Sequence, residues 1–302
     1  MSVDCPSSAD PGTGASASVV PPNLATLLHL QHLSEGVFIG YCNGQPGRTT
    51  RVFGGALVAQ SLLAATQTVS SDRGVHSLHA YFLRAANPAE AIQYRVETLR
   101  NGGSFTTRRV TAMQYGEDIF TMTVSFHVPE DGFAHQLPQL AAPPPTRLPA
   151  GWPATNESTR VWLERISRGH PFELRIHGEL ARMATMRGER VAPRQGFWFR
   201  ARNPLPDEPH LHNSAIAYAS DILLLSSSLG PHKTVLNAPE IQFASLDHAM
   251  WFHASARADD WLYYEQKSTW AGGARAFCTG RIFNSAGRLV ASVAQEGLIR
   301  RI

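Results

Sequence analysis

Three polar side chains sit in apolar surroundings, and their types suit chemistry on water or on a polar substrate. Asp221 is the only carboxylate in the run Ala215-Ile216-Ala217-Tyr218-Ala219-Ser220-Asp221-Ile222-Leu223-Leu224-Leu225. A carboxylate there is costly to bury unless it is hydrogen-bonded. It reads either as a group held beside a substrate or a reactive water, or as a local cap or structural ion pair. Ser245 lies near the start of a predicted strand, in Phe243-Ala244-Ser245-Leu246-Asp247-His248. Gln295 lies in Val293-Ala294-Gln295-Glu296-Gly297, where an uncharged amide can both donate and accept hydrogen bonds.

Other constellations carry less. His76-Ser77-Leu78-His79 has the form HxxH, but on a strand its two histidines face opposite sides, which does not suit a shared metal. His248 and His253 have the same difficulty. There is no GxSxG motif, which lowers the case for a covalent serine hydrolase. The 13 histidines include none with a clear Ser or Cys partner in sequence. Cys5, Cys42 and Cys278 form no CxxC pair and no disulfide framework, which fits a reducing compartment.

The elements that position these residues follow from local pattern. Residues 1–22, rich in Ser, Ala, Pro and Gly, read as a disordered tail. Asn23 is a reasonable N-cap for a helix through Leu33, and a short strand follows over 36–41. Gly54-Gly55 opens a long segment, Ala56 to Val69, that has no charge and is apolar nearly all round, so its helix should be buried. Strands are predicted over 77–83, 91–100, 104–115 and 118–127, separated by turns at Asn87-Pro88, Asn101-Gly102-Gly103 and Tyr115-Gly116. Arg95 and Glu97, two apart on one strand, imply one solvated sheet face. The Pro-rich segment 129–157 reads as a linker or an extended crossover. A helix over 158–168, strands over 172–176 and 196–202, a second apolar helix over 215–229, and strands over 241–252, 261–269, 274–284 and 289–298 complete the chain.

The second half repeats the order of the first. His79-Ala80 overlays His248-Ala249 at an offset of 169, and Gly102-Gly103 overlays Gly272-Gly273 at 170. The segment 119–125 overlays 289–295, and 59–63 overlays 219–223. The units are therefore read as 23–128 and 158–302, each a long buried helix wrapped by antiparallel strands. Pairing edge strands between the two would join them into one α+β sheet. The first-half counterparts of Asp221, Ser245 and Gln295 are Ser61, His76 and Ser125. That asymmetry assigns any chemistry to the second half.

Composition narrows the classes further. The chain has 302 residues with 43% hydrophobic and 17% charged residues, which allows a sizeable core and argues against global disorder. The net charge of +3, with no basic run interleaved with aromatics, argues against a nucleic-acid binder. No run of about 18 apolar residues occurs, so no membrane span is expected, and a secretory signal is not recognised.

Taken together, Arg51-Val52-Phe53-Gly54-Gly55, His76-Ser77-Leu78-His79-Ala80-Tyr81-Phe82-Leu83-Arg84, Val96-Glu97-Thr98-Leu99-Arg100-Asn101-Gly102-Gly103-Ser104-Phe105, Tyr218-Ala219-Ser220-Asp221, Leu246-Asp247-His248-Ala249-Met250-Trp251-Phe252-His253 and Ala294-Gln295-Glu296-Gly297 closely resemble acyl-CoA thioesterase II, the TesB-type family. The resemblance runs from about Asn23 to Arg300, with the motifs in order. The resemblance implies a double hotdog fold and hydrolysis of acyl-CoA to a fatty acid and free coenzyme A. It implies that the catalytic set, an Asp on the second hotdog helix, a Thr at a strand start and a Gln near the C-terminus, is here Asp221, Ser245 and Gln295. Ser245 departs from the usual Thr, keeping the hydroxyl and losing the methyl. Ala56 stands where the family often has Gln.

The expected substrate contacts are Gly54, Gly55 and His76, with the free N–H groups of the Gly-Gly helix start facing Asp221 across the two halves and serving the thioester oxygen. Arg51, Arg84, Arg100, Arg108 and Arg109 are candidates for the coenzyme A phosphates. No metal or redox cofactor is implied, coenzyme A entering only as part of the substrate. A homodimer or homotetramer and a cytoplasmic, bacterial location are family-based expectations; the chain ends Arg300-Arg301-Ile302 rather than in a peroxisomal Ser-Lys-Leu-like signal. A non-catalytic acyl-CoA binder and a hotdog dehydratase or hydratase are the alternative readings.

Overall fold

A computed structural model of the chain describes residues 23–42, 51–148, 161, 164, 166, 168–178, 181–235 and 238–302. The expected tail over 1–22 and most of the helix expected over 158–168 lie outside these residues.

Helix α2 (Gly54–Thr66) forms where the sequence is uncharged and apolar on every side, and it is buried from Gly55 to Ala65. Its surroundings are six strands: β1 (Gln31–Ser34), β2 (Val37–Gly40), β3 (Gly74–Phe82), β4 (Ile92–Asn101), β5 (Phe105–Gln114) and β6 (Glu117–His127). The turns between the long strands fall at the Asn-Pro, Gly-Gly and Tyr-Gly signals. On β4, Ile92 and Tyr94 face inward while Arg95 and Glu97 are exposed, so one sheet face is solvated. The N-terminal helix is shorter than expected. Asn23 caps it through its side chain, but α1 covers only Leu24–Leu27. Gln31–Ser34 instead pairs with β2 as an edge strand. Sheet hydrogen bonds available from β2 outweigh the helical preference of a four-residue stretch that no packing supports.

The second half repeats the plan with β7 (Phe172–His177), a short helix α3 (Ala181–Met186), β8 (Arg194–Ala201), α4 (Pro209–Ser220), β9 (Ile241–Ser245), β10 (Asp247–Phe252), β11 (Leu262–Gly272), β12 (Arg275–Asn284) and β13 (Leu289–Arg301). The strands form one 13-stranded sheet in the order β1-β2-β4-β5-β6-β3-β10-β13-β12-β11-β8-β7, with β9 pairing β13. The order from β2 to β3 is mirrored from β10 to β8. At the centre β3 and β10 run antiparallel, with His79 opposite Ala249 and Ala80 opposite His248. These are the repeat equivalents exchanged, the pattern of an isologous two-fold contact. Inside, α2 and α4 pack against each other. The fold is a double hotdog.

The described part of the Pro-rich segment, to Leu148, is bonded to the second half, and its residues 149–157 lie outside the described residues. The Gln136 amide donates to the Gly287 carbonyl and accepts from Leu289 N–H. Trp198 Nε1 donates to the Pro143 carbonyl at 2.9 Å, and Arg175 donates to the Leu148 carbonyl at 2.9 Å.

Two expectations need correction. The strand over 241–252 is broken at Leu246, whose N–H turns to the Glu296 carbonyl, so that β9 and β10 meet different stretches of β13. The helix expected over 215–229 runs instead from Pro209 to Ser220. Proline at its first position suits an N-terminus. Its C-terminal stop has no local signal in the run Ile222-Leu223-Leu224-Leu225. The stop comes from outside: Tyr264 hydroxyl takes the Ser220 carbonyl, Gln266 Nε2 takes the Ile222 carbonyl, and Gln195 Nε2 takes the Leu223 carbonyl. These side chains take carbonyls that a continuing α-helix would offer to its own N–H groups. Leu223 sits at φ 60, a left-handed conformation that ends it.

Candidate active site

Asp221 is the C-cap of α4, not a mid-helix residue. Its carboxylate also meets the first turn of α2, where Gly55 N–H donates to Oδ2 at 2.9 Å. Two helix ends of opposite polarity therefore converge on one acid. Glycine at 55 is required by closeness, since a Cβ would collide with the Tyr218 carbonyl. At Gly54 a Cβ would lie 2.7 Å from Asp221 Oδ2. The Phe53 ring closes this side against Tyr218, with ring centroids 4.9 Å apart.

The other oxygen is held from the sheet. Gln295 Nε2 donates to Asp221 Oδ1 at 2.8 Å and to Ser245 Oγ at 2.7 Å. Ser245 Oγ stands 3.5 Å from Oδ1, at the long limit of a hydrogen bond. Both hydrogens of the Gln295 amide are thereby used, and its Oε1 is buried with no partner among the described residues. Register explains the meeting: Ser245 pairs with Gly297 across β9 and β13, and Gln295 lies two residues away on the same face of β13. The break at Leu246 lets β9 turn away just after Ser245, as bulges beside active sites do.

Burial pushes the Asp221 carboxyl up to about 6, against the opposing pull of the hydrogen bonds from Gln295, Gly55 and Ser245. The group can thus take a proton near neutrality and is ionised above that point. Behind it, Ser220 Oγ donates to the Ala217 carbonyl and accepts from His248 Nε2 at 2.8 Å. Burial pushes His248 down to about 4, so it is a neutral donor.

Asp221, Ser245, Gln295, Gly54 and Gly55 are brought together. Gly55 N–H is engaged by the carboxylate, not open to a substrate oxygen. His76 stands apart: its Nε2 is 2.8 Å from Ser125 Oγ, and its ring lies against Phe105 and His127. Because His76 and Ser125 are the counterparts of Ser245 and Gln295, this is the first-half copy of the same polar contact. A bulge between Val75 and Ser77 marks the same place in β3. The copy lacks an acid, its counterpart of Asp221 being Ser61.

Of the five arginines, Arg108 is buried and committed to Thr68, Asn101 and the Arg100 carbonyl, so it is structural. Arg84 pairs with Glu117, and Arg109 faces Glu97. Sequence reading missed Tyr264, Gln266 and Gln195. The first carried a signal, since Tyr94 occupies the same place in the repeat. Among the described residues no helix is long and apolar enough to cross a membrane.

Known proteins are similar to this chain along most of its length. A family model described as acyl-CoA thioesterase matches residues 170–298, and one described as the acyl-CoA thioesterase N-terminal domain matches residues 45–127. The chain is 38% identical to acyl-coenzyme A thioesterase 8 of Rattus norvegicus, over 92% of this chain and 88% of that protein. It is 34% identical to acyl-CoA thioesterase 2 of Haemophilus influenzae, over 92% of this chain and 97% of that protein. The crystal structure of acyl-CoA thioesterase II TesB2 from Mycobacterium marinum superposes with a TM-score of 0.75 at 40% identity, covering 92% of this chain and 98% of that one. A hot dog protein from Alicyclobacillus acidocaldarius, 18% identical with a TM-score of 0.74, shares the fold. With two family models in tandem and relatives of this identity along nearly the whole chain, the protein belongs to the acyl-CoA thioesterase family, of the thioesterase II (TesB) type.

Proposed function

We propose that this protein hydrolyses fatty acyl-CoA to a free fatty acid and coenzyme A by direct attack of a water held by Asp221, Ser245 and Gln295. The observation that carries the reading is the carboxylate at the junction of the two helices, bonded to the Gln295 amide and the Gly55 N–H, with the Ser245 hydroxyl beside it. Asp221, ionised, accepts a hydrogen bond from the water, and Ser245 and the unpartnered Gln295 Oε1 orient it. The water oxygen bonds to the thioester carbon while its proton passes to Asp221. The carbonyl electrons move to oxygen and return as the C–S bond breaks. The proton on Asp221 then goes to the departing sulfur. A well-placed general base is worth about 10²–10⁴-fold.

Gly55 N–H holds the base, so the carbonyl oxygen is assigned to the neighbouring Gly54 N–H at the positive end of α2. No step is assigned to His76. The dehydratase or hydratase reading needs a histidine beside the acid. The nearest through bonds, His248, is neutral and reaches Asp221 only by way of Ser220. The cytoplasm is the compartment we propose, supported by the unpaired, buried thiols of Cys42 and Cys278.

Release of free thiol from acyl-CoA, followed with a thiol reagent, tests the reading. Steady release by the purified protein, lowered about 10²–10⁴-fold in Asp221→Asn, is expected. Binding of acyl-CoA without thiol release would overturn it in favour of a binding protein. An enoyl absorbance change without thiol would overturn it in favour of a hydratase.

A further inference from the structure

Tyr264 on β11 and Tyr94 on β4 occupy the same place in the repeat, offset by 170 residues, and both are fully buried. Each hydroxyl reaches its own half's helix at the same point, but at different atoms. Tyr94 donates to the side-chain Oε1 of Gln60 at 2.6 Å. Tyr264 donates to the backbone carbonyl of Ser220 at 2.6 Å. Gln60 and Ser220 are repeat equivalents. The long amide of Gln60 stands between Tyr94 and the backbone, and α2 continues to Thr66. Ser220 is short, and its own hydroxyl folds back on the Ala217 carbonyl. Its backbone carbonyl is thereby left open to Tyr264, and α4 ends at Ser220. Room for the Tyr264 ring comes from Gly280, where a Cβ would collide with it; the first-half equivalent is Val110. Gln266 repeats the device one step on by taking the Ile222 carbonyl at 2.7 Å. The two carbonyls that flank Asp221 are thus each held by a side chain from β11.

We infer that Tyr264, seconded by Gln266, is a positioning residue for Asp221: by capturing the Ser220 carbonyl it ends α4 at the acid and sets where the carboxylate stands. The inference rests on Asp221 being the base. The repeat supplies its own control, because Tyr94→Phe removes an equally buried hydroxyl from the matching strand without touching the α4 end.

The test compares kcat, KM and Tm for Tyr264→Phe, Tyr94→Phe and Asp221→Asn in the full chain. Tyr264→Phe is expected to lower kcat by about 10- to 100-fold, the scale of a small misplacement of a reacting group, with KM within about twofold. Tyr94→Phe is expected to lower Tm to a similar degree with kcat unchanged. If Tyr264→Phe does not fold, Gln266→Met carries the same expectation for kcat. Equal kcat in Tyr264→Phe and Tyr94→Phe, or full kcat in Gln266→Met where Tyr264→Phe is unfolded, overturns the inference and leaves the base assignment standing. Full turnover in Asp221→Asn overturns the base assignment itself, and the inference with it.

Discussion

Gly55 and Asp221 are 166 residues apart in the chain, yet the N–H of one donates to the carboxylate of the other at 2.9 Å. The bond joins the start of the first half's helix to the end of the second half's helix. Neither half alone holds the acid in this setting.

Gly55→Ala tests that bond. The added Cβ meets the Tyr218 carbonyl and the Phe53 ring, so α2 must shift away from Asp221. Overpacking of this kind costs about 1–3 kcal/mol. Loss of a hydrogen bond to a charged group costs about 1.5–3 kcal/mol, roughly 10- to 100-fold in rate. The variant should show a lower Tm by thermal unfolding together with a lower kcat. A variant with native kcat would mean that the bond is not used.

In the proposed mechanism the carboxyl of Asp221, raised by burial to about 6, should set the acid side of the pH profile. With Asp221 as the proposed base only the ionised form is active, so kcat/KM should fall tenfold per pH unit below about 6. Gln295→Leu removes a donor that favours the charged form. Its acid limb should move to higher pH, in addition to any loss of rate. Initial rates between pH 4.5 and 9 check both statements.

Asp221→Asn should lose about 10²–10⁴-fold in turnover. Its stability should change in the opposite sense at neutral pH. A carboxyl raised from 3.8 in the unfolded chain to about 6 in the native state binds more protons when folded. Its contribution to stability is therefore full below about 4 and is lost as pH rises through about 6. After allowance for solvent screening the loss is of the order of 1–2 kcal/mol. The parent should lose Tm relative to the Asn variant between pH 4 and pH 7. Parallel unfolding curves across that range would contradict a raised carboxyl.

In the proposed mechanism Ser245 acts through its hydroxyl. Ser245→Thr should keep turnover within about tenfold of the parent, while Ser245→Ala should fall by about 10- to 100-fold, since it removes the hydroxyl that takes a Gln295 Nε2 hydrogen and orients the proposed water. Thiol release on one acyl-CoA substrate at pH 8 distinguishes the two variants. Equal activity of all three proteins would remove Ser245 from the water's positioning.

Much of this was readable from residue order. The two uncharged helices, the glycine turns and the strand alternation are local patterns, and local patterns survive in a linear chain. Asp221, Ser245 and Gln295 stand where the first half has Ser61, His76 and Ser125, and that asymmetry alone singles out the second half as the candidate for chemistry. Other features have no local cause. Ile222-Leu223-Leu224-Leu225 is a good helical stretch, and nothing in it stops α4 at Ser220. The stop is imposed by hydroxyl and amide groups of Tyr264, Gln266 and Gln195, contributed by strands β8 and β11. Likewise Gly55 read as a donor for a substrate oxygen, because a free N–H at a helix start shows only that a partner is needed. Chain order therefore determined the long strands and the two buried helices, which half carries an acid and which side chains could serve it. Tertiary packing alone decided where the acid's helix ends and which donors reach its oxygens, because those bonds join groups far apart in the chain: the strands of its own half bring up Tyr264, Gln266, Gln195, Ser245 and Gln295, and the meeting of the two halves brings up Gly55.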